Sequence, residues 1–369
     1  MEKLFAPFQL GRLSLKNRIV MAPMSTGYAD GGGLVTDLMV RHYRRRAEGG
    51  AALLIVEPGV VHTQARLFPN SMGIWTEEQV GPLAGLAGAV HRAGAHVFLQ
   101  LCHAGPKARS RFSGRPPLSA SDIPLFRNDP PQAMTRGEID QTVEDFVRAA
   151  ARAARAGLDG VELHAAHFYL LSAFLSRLTN GRADDYGGSP ANRSRLVVEI
   201  IRAIKRELGP DYPVVVRFNA REYGEGGIGP EEALQLAGLF VAAGADALHV
   251  SAFDRYRPEL AKAVTVPATA IPGPEDPEGV FLLYAREIKK TVACPVIGVG
   301  RITDPVTAGE ALTRGDCDLT AVGRALLVDP DWPQKAQSGG YTPCQGCGDC
   351  LTTLGDGGVR CAVNPEVGR

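Results

Sequence analysis

Short apolar runs recur along the chain, and each is followed by a loop and an amphipathic segment. Eight of these runs are hydrophobic at nearly every position, which is typical of parallel strands buried on both faces. They predict strands over residues 18–24, 52–58, 96–103, 160–166, 214–220, 247–252, 295–301 and 319–324. Eight strand–helix units in succession indicate an α/β fold, a TIM (β/α)8 barrel. A doubly wound sheet is the alternative, although no GxGxxG motif follows any of the strands.

Two of the intervening helices have clear start signals. Thr135 and Glu138 form a predicted capping box ahead of an apolar stripe, and this helix is predicted to end near Gly157. Ser189 and Pro190 predict the N-cap and first turn of a second helix with an equally regular apolar face. Helices of this kind are what a barrel places around its outside.

Chemically distinctive side chains gather at the predicted C-terminal ends of the strands, where barrel enzymes carry their active sites. Two unusually long loops, 104–134 and 165–188, also lie on this side. The distinctive residues near the strand ends are Pro23, Met24, Ser25, Gln100, His103, His164, His167, Tyr169 and Arg217. Taken alone, His164 and His167 are almost as compatible with a core role as with a catalytic one.

The loops after the seventh and eighth strands predict a phosphate site. Gly300–Arg301 and Gly323–Arg324 follow those strands, where glycine admits backbone N–H groups and arginine adds a charged donor. The alternative is that the glycines form tight turns and the arginines face solvent. Arg217, within an apolar strand, needs an anionic partner, which is either a ligand or a core carboxylate.

Composition restricts the partners and the compartment. In 369 residues, 40 basic side chains balance 40 acidic ones, so there is no electrostatic case for a nucleic acid or an anionic membrane as partner. No apolar run reaches membrane-spanning length and no signal-peptide core is present, so we expect a cytoplasmic protein. In that compartment clustered thiols are more often metal ligands or redox groups than disulfides.

Four of the seven cysteines form a cluster near the C-terminus, in "CQGCGDCLTTLGDGGVRC". Cys344, Cys347 and Cys350 recur at every third residue, and Cys361 follows after ten further residues. Disulfides, a zinc ion or an iron–sulfur cluster are the three possible uses of such a group. Zinc sites usually pair their cysteines as two separated knuckles, so the spacing favours a [4Fe–4S] cluster and leaves zinc as the alternative.

Together these features resemble the old yellow enzyme family of FMN-dependent oxidoreductases. The resemblance is carried by "LFAPFQLGRLSLKNRIVMAPM", "LQLCHAG", "HAAHFYLLSAFLSRLTNGRADDYGGSPANRSRL", "GVGR" and "AVGR", and it covers nearly the whole chain. The cysteines are similar to those of the iron–sulfur branch that includes 2,4-dienoyl-CoA reductase and trimethylamine dehydrogenase. The resemblance implies an FMN-binding barrel over 1–335 and a cysteine-rich extension over 336–369. Larger relatives continue into two Rossmann-type domains, so this sequence is either a single-domain member or part of a longer chain.

The resemblance implies a cofactor role for each matching residue. The residues expected to line the FMN isoalloxazine are Ala22, Pro23, Met24, Ser25 and Pro58. Gln100 would pair with its pyrimidine edge, and Arg217 would lie near N1. The residues that match the FMN-phosphate site are Gly300, Arg301, Gly323 and Arg324. The expected ligands of the [4Fe–4S] cluster are Cys344, Cys347, Cys350 and Cys361.

The resemblance also implies an activity, that of an ene-reductase. His164 and His167 would hydrogen-bond a substrate oxygen, and Tyr169 would protonate the α-carbon of an activated alkene, an enone or an enoyl thioester. NAD(P)H is a possible transient electron donor, and a separate one-electron carrier protein is a possible partner. The alternatives are an amine dehydrogenase or demethylase and, from another class, a zinc-stapled barrel that binds a phosphorylated metabolite.

Three positions depart from the family pattern. Pro106 stands where relatives usually have arginine, so contacts with substrate or flavin there are in question. Phe168 replaces a common glycine and is expected to narrow the pocket. Ser25 stands where several relatives have cysteine, which predicts that FMN is bound without a covalent link.

Overall fold

Eight parallel strands close into a barrel in which each strand pairs with the next one along the chain, and the last with the first. The computed structural model describes residues 1–124, 129–223, 226–253, 271–354 and 357–368. The strands β1 to β8 are Ile19–Met21, Leu53–Val60, His96–Cys102, Gly160–Ala165, Val214–Glu222, Ala247–Phe253, Val296–Gly298 and Leu319–Val322. The predicted TIM barrel is therefore confirmed, and the doubly wound alternative is wrong.

The main helices pack around the outside of this barrel. The helices α1 to α7 are Asp37–Glu48, Val80–Arg92, Arg136–Arg155, Arg195–Leu208, Pro230–Ala243, Leu282–Lys289 and Pro305–Arg314. The predicted capping box begins α3, where the Thr135 side chain accepts from the Glu138 N–H. The predicted N-cap Ser189 begins a short helix, Pro190–Arg193, and α4 follows it directly as a separate helix.

Shorter elements connect these units. The short helices are Glu2–Phe5, Ser110–Ser113, Leu170–Leu175, Pro190–Arg193, Arg324–Val328, Trp332–Lys335 and Asp349–Thr352, and the 3₁₀ turns are Thr63–Ala65, Glu77–Gln79 and Gly105–Lys107. Leu118–Ser119 and Gln132–Ala133 pair in parallel. An antiparallel hairpin of Phe8–Leu10 and Leu13–Leu15 packs its leucines into the barrel interior beside residues that begin the strands. This hairpin closes the N-terminal end of the barrel, so a site can form only at the opposite end.

The strands end two or three residues before the apolar runs at three places. Runs 18–24, 295–301 and 319–324 were predicted as strands, but the ladder ends at Met21, Gly298 and Val322. Beyond Gly298 the backbone turns away from strand geometry, since Gly300 has φ +119° and Arg301 has φ +52°. Because the residues after the strand end are not paired with a neighbouring strand, they can form a site at the barrel mouth.

The C-terminal segment folds back against the barrel mouth. The Tyr28 hydroxyl donates to the Val359 carbonyl at 2.7 Å, and the Val359 N–H donates to the Thr26 carbonyl at 2.6 Å. Asn364 Nδ2 donates to the Leu327 carbonyl at 2.8 Å. The segment thus lies beside the ends of β1 and β8. Over the described parts of the chain, no helix has the length and apolar character needed to cross a membrane.

Candidate active site

A cavity of about 220 Å³ opens at the C-terminal ends of the strands. Its walls include each residue that the sequence suggested for FMN and for catalysis: Ala22, Pro23, Met24, Ser25, Pro58, Gln100, His164, His167, Tyr169, Arg217, Gly300, Arg301, Gly323 and Arg324. These residues come from segments spread over three hundred positions of the chain. The closed barrel brings them together because all its parallel strands end at the same rim.

One end of the cavity is cationic and has glycine in its walls. Arg301 Nη1 donates to the Asp276 carbonyl at 2.7 Å, and Arg324 Nη2 donates to the Pro272 carbonyl at 2.7 Å, which holds both guanidinium groups in place. A Cβ on Gly300 would approach the Phe281 ring to 2.7 Å, so only glycine fits there. Fixed guanidinium groups beside such a close backbone approach are suited to a phosphate.

A polar network lies within the barrel wall beneath the cavity. Gln100 Nε2 donates to Glu162 Oε1 at 2.8 Å, and His249 Nδ1 lies 2.7 Å from Glu162 Oε2. Glu162 and His249 are fully buried. Neither residue was predicted from the sequence, although each is a polar residue within an apolar strand, the same signal that singled out Arg217.

Arg217 reaches the cavity from the middle of β5. It is buried, and its Nε has no hydrogen-bond partner among the described residues. Burial lowers the pKa of its guanidinium, and the nearby Glu162 carboxylate raises it again. A buried donor without a partner among the described residues, in the same cavity wall as the Gln100 amide, fits the polar edge of a flavin ring. The residues present therefore fit FMN: Arg217 and Gln100 suit its ring, and Arg301 and Arg324 suit its phosphate at the opposite end of the cavity.

Three aromatic side chains, from the end of β4 and the turn after it, form one group. The His164 ring centroid lies 5.1 Å from that of His167 and 4.5 Å from that of Tyr169. Burial, together with the charge on Arg217, lowers the pKa of both imidazoles well below the usual value, so both are neutral. Burial raises the pKa of Tyr169, so its phenol keeps its proton.

The hydrogen bonds of the two histidines define what each ring can do. The Ala166 N–H donates to His164 Nδ1 at 3.4 Å, which leaves the ring proton on Nε2 as a donor. His167 Nε2 lies 2.8 Å from the Ser251 hydroxyl. Neutral imidazoles held in this way can donate to a carbonyl oxygen without adding a full charge.

The turn that carries these residues is strained. His167 and Phe168 both adopt left-handed backbone, with φ of +61° and +56°. Such a conformation is costly for a bulky side chain, which accounts for the glycine expected from the family pattern. The Phe168 ring packs edge-on against Phe253 at 4.7 Å and is not among the described residues that line the cavity. The expectation that Phe168 narrows the pocket is not supported.

The loop after β3 places a lysine in the cavity. Pro106 is buried in the 3₁₀ turn Gly105–Lys107, and Lys107 lines the cavity wall. Lys107 Nζ lies 5.0 Å from the centre of the Tyr169 ring and 5.9 Å from that of Phe253. Lys107 was not predicted from the sequence, because a lone lysine in a loop gives no pattern.

The four clustered cysteines line a second, smaller cavity next to the first. Its walls contain Cys344, Cys347, Cys350 and Cys361 together with Arg324. Cys350 and Arg324 line both cavities. None of the cysteines is in a disulfide. Among the residues described here, no three histidine, cysteine or carboxylate side chains are arranged to hold a metal ion. The thiols are thus of the right type and share one cavity, without the arrangement of a closed metal site.

Comparisons with known proteins agree with this arrangement. The model of the NADH:flavin oxidoreductase / NADH oxidase family matches residues 3–342. The chain is 39% identical over 375 residues to the NADH oxidase of Thermoanaerobacter brockii, covering 99% of this chain and 56% of that protein.

Two solved structures are similar over the whole chain. A complex of 2-naphthoyl-CoA reductase with 2-naphthoyl-CoA gives a TM-score of 0.92 at 29% identity, over 100% of this chain and 57% of the other. Histamine dehydrogenase from Rhizobium sp. 4-9 gives a TM-score of 0.87 at 27% identity, over 100% of this chain and 53% of the other. The chain thus spans little more than half the length of each of these relatives.

Proposed function

The chain belongs to the NADH:flavin oxidoreductase / NADH oxidase family, which is the old yellow enzyme family, and from that premise we propose that it is an FMN-dependent ene-reductase. The proposed substrates are activated alkenes: enones or enoyl thioesters. The proposed electron donor is NAD(P)H or a one-electron carrier protein. An FMN-dependent oxidoreductase follows from the family alone, and the ene-reductase activity is the further step.

The charge of the cavity is the observation that carries this proposal. Three permanent cations line it, Arg217, Arg301 and Arg324, together with Lys107. No aspartate or glutamate is among its described lining residues, and Glu278 lies 3.5 Å from Arg301 outside them. Such a cavity favours an anionic cofactor and a substrate whose oxygen gains negative charge during the reaction. It is unfavourable to a substrate that enters as an ammonium ion.

FMN, when bound, supplies hydride for the alkene and takes electrons from the donor. Gly300, Gly323 and the neighbouring arginines would hold its phosphate, while Gln100 and Arg217 would hold its pyrimidine edge. Residues Ala22 to Ser25 and Pro58 would form the wall against the ring. Ser25 has no thiol, so we propose that FMN is bound without a covalent link.

The residues after β4 would carry out the rest of the reaction. His164 and His167 would donate hydrogen bonds to the substrate carbonyl oxygen, which polarises the conjugated double bond. Tyr169 Oη would give its proton to the α-carbon. Its raised pKa supports this role, because a phenol that stays protonated at neutral pH is available as an acid.

Oxidation of an amine is the second candidate, because the structure of histamine dehydrogenase is similar over the whole chain. A cationic amine would need an acidic or aromatic cage. Trp75 and Trp332 are not among the described residues lining the cavity, and Trp332 Nε1 donates instead to the Thr303 carbonyl at 2.9 Å. The ene-reductase is therefore preferred, with 2-naphthoyl-CoA reductase as a thioester-binding relative.

We also propose that Cys344, Cys347, Cys350 and Cys361 bind a [4Fe–4S] cluster. Their spacing supports it, as does the small cavity that all four line. Because Cys350 and Arg324 line both cavities, a cluster there would lie next to the FMN site. Exchange of single electrons with a separate carrier protein is the function that this position would serve.

The variant Tyr169→Phe tests the catalytic proposal. It removes only the hydroxyl, so FMN content and the rate of flavin reduction by the electron donor should be unchanged. Reoxidation of the reduced flavin by an enone should slow by about 10²–10⁴-fold, as is typical when a positioned acid is lost. Stopped-flow absorbance measures the two half-reactions separately.

Tyr186→Phe is the matched control. Tyr186 is also a tyrosine in a largely enclosed position, but its hydroxyl donates to Glu199 at 2.9 Å, away from the cavity. This variant should reoxidise at the wild-type rate. If Tyr169→Phe also reduces the enone at the wild-type rate, another group supplies the proton. If the wild-type protein oxidises an amine and leaves enones unreduced, the second candidate is correct.

A further inference from the structure

Lys107 lies in the cavity wall and has no anionic partner among the residues that the structure describes. It is 2% exposed, and its ammonium group makes neither a hydrogen bond nor an ion pair with any residue that the structure describes. Its recorded contacts are the faces of the Tyr169 and Phe253 rings. Cation–π contacts of this kind are worth about 0.5–2 kcal/mol, and they leave the ammonium group able to bind an anion in the cavity that Lys107 lines.

The described groups that face Lys107 carry no negative charge. From β3 it meets the Cys102 thiol, whose own pKa is raised by burial, so the thiol is neutral. From β4 it meets His164, His167 and Tyr169, and Arg109 in its own loop is a second cation. Burial therefore lowers the pKa of Lys107 to about 7.

The expected FMN contacts leave Lys107 free for another ligand. The phosphate end of the cavity already has Arg301 and Arg324, and the pyrimidine edge has Arg217 and Gln100. Lys107 lies instead beside Tyr169, at the end where the proposed substrate would react. Because the Tyr169 ring is within 5.0 Å of both Lys107 Nζ and the His164 ring, one small ligand with two polar groups can reach both.

We propose that Lys107 binds a carboxylate on the substrate and so makes the site selective for unsaturated carbonyl compounds that carry an acidic group. This inference rests on the proposed ene-reductase function and adds the substrate class. The carboxylate would supply a counter-ion that the described residues do not provide.

The test compares two isosteric ligands that differ only in charge, 4-oxo-2-pentenoate and its primary amide. Each is titrated into the oxidised holoprotein, and its dissociation constant is read from the change in flavin absorbance. Lys107→Met should weaken binding of the carboxylate by about ten- to a hundredfold, the usual range for a charge-assisted hydrogen bond. Binding of the amide should change by less than about threefold.

Two further variants keep the result interpretable. Lys290→Met is the matched control, since Lys290 is exposed and pairs with Glu287 on the outside of the barrel. It should leave both constants unchanged. Lys107→Arg keeps the charge and should keep the preference for the carboxylate. In the wild-type protein that preference should fall as the pH rises through about 7, and the fall should be absent from Lys107→Met.

Equal weakening of both ligands by Lys107→Met would overturn the proposal, because Lys107 would then act on Tyr169 or on packing. Unchanged binding of the carboxylate would also overturn it. A wild-type protein that binds both ligands tightly and reduces neither would refute the ene-reductase function. In that case the binding comparison still decides whether Lys107 selects a carboxylate.

Discussion

Replacing Glu162 with glutamine should expose how much the buried network beneath the cavity contributes to stability. The Glu162 carboxylate accepts from Gln100, contacts His249 and is the counter-charge of the buried Arg217. Glutamine keeps the shape and removes the charge. One of its two terminal atoms is a donor, so either Gln100 or His249 would then face a donor instead of an acceptor.

The expected loss follows from the charge that is removed. Two unit charges about 5 Å apart interact by about 3 kcal/mol at an effective dielectric constant of about 20. Removing one partner of a buried pair typically costs about 3–5 kcal/mol, because the other charge stays buried. We therefore expect Glu162→Gln to lower the free energy of unfolding of the apoprotein by about 3 kcal/mol.

Glu222→Gln is the control for this measurement. Glu222 is also a buried carboxylate at the end of a barrel strand, but its hydrogen-bond donors are neutral: the Ser176 hydroxyl at 2.6 Å and the Asn219 amide at 3.1 Å. Its replacement should cost about 1–2 kcal/mol, in the range for hydrogen bonds that are lost or left unsatisfied. It does not line the main cavity.

Urea unfolding without FMN and with saturating FMN separates the effect of Glu162 on the stability of the fold from its effect on the FMN site. Bound ligand adds stability according to its affinity, so the gain from FMN reports how well the site is still formed. Glu162→Gln should show a smaller gain than the wild type, since Gln100 and Arg217 lose the group that holds them. Glu222→Gln should show the full gain. A loss below about 1 kcal/mol in Glu162→Gln, or a larger loss in Glu222→Gln, would refute this reasoning.

Two further predictions concern the rim of the site. The anaerobically purified protein should contain about four irons per chain if the cysteines bind a [4Fe–4S] cluster, and Cys347→Ala should lose them and keep FMN. In that variant, flavin reduction by a one-electron donor should slow, and flavin reduction by NAD(P)H should keep its rate. If both rates are unchanged, the cluster has only a structural role. Burial raises the pKa of Glu57 from 4.5 to about 7, so the carboxyl stays protonated in the fold after it ionises in the unfolded chain. Stability from this group is therefore present below pH 4.5 and is lost as the pH rises to about 7, by about 3 kcal/mol at most. Urea unfolding between pH 4.5 and about 7 should show this loss of stability in the wild type. If the free energy of unfolding of a Glu57→Gln variant falls as steeply with pH, the prediction is contradicted.

The barrel could be predicted because each of its signals is local. Eight apolar runs, the capping box at Thr135 and the N-cap at Ser189 are visible within a few residues of the chain. The ends of the strands could not be predicted as well. Whether Ala22 or Val299 continues a strand depends on the pairing of the neighbouring strand, which is a property of the closed barrel.

The site residues likewise divide into those that could be predicted from a local signal and those that could not. The residues at strand ends were found because a barrel places its chemistry there. Glu162 and His249 were missed because their importance depends on register: Gln100 lies opposite Glu162, and Arg217 lies opposite His249, on neighbouring strands. The pairing of neighbouring strands brings these four polar side chains together, and it cannot be derived from a single strand.

The distribution of charge explains why the overall composition conceals the character of the site. The forty basic and forty acidic residues cancel over the whole chain. The cavity separates them: its described walls carry cations and no carboxylate, and Glu162 lies one layer deeper, within the barrel wall. Field lines from fixed cations are focused in a cleft with low-dielectric walls. A cofactor phosphate at one end and a carbonyl or carboxylate at the other are both stabilised there, whereas a cationic amine would have to enter against the same field.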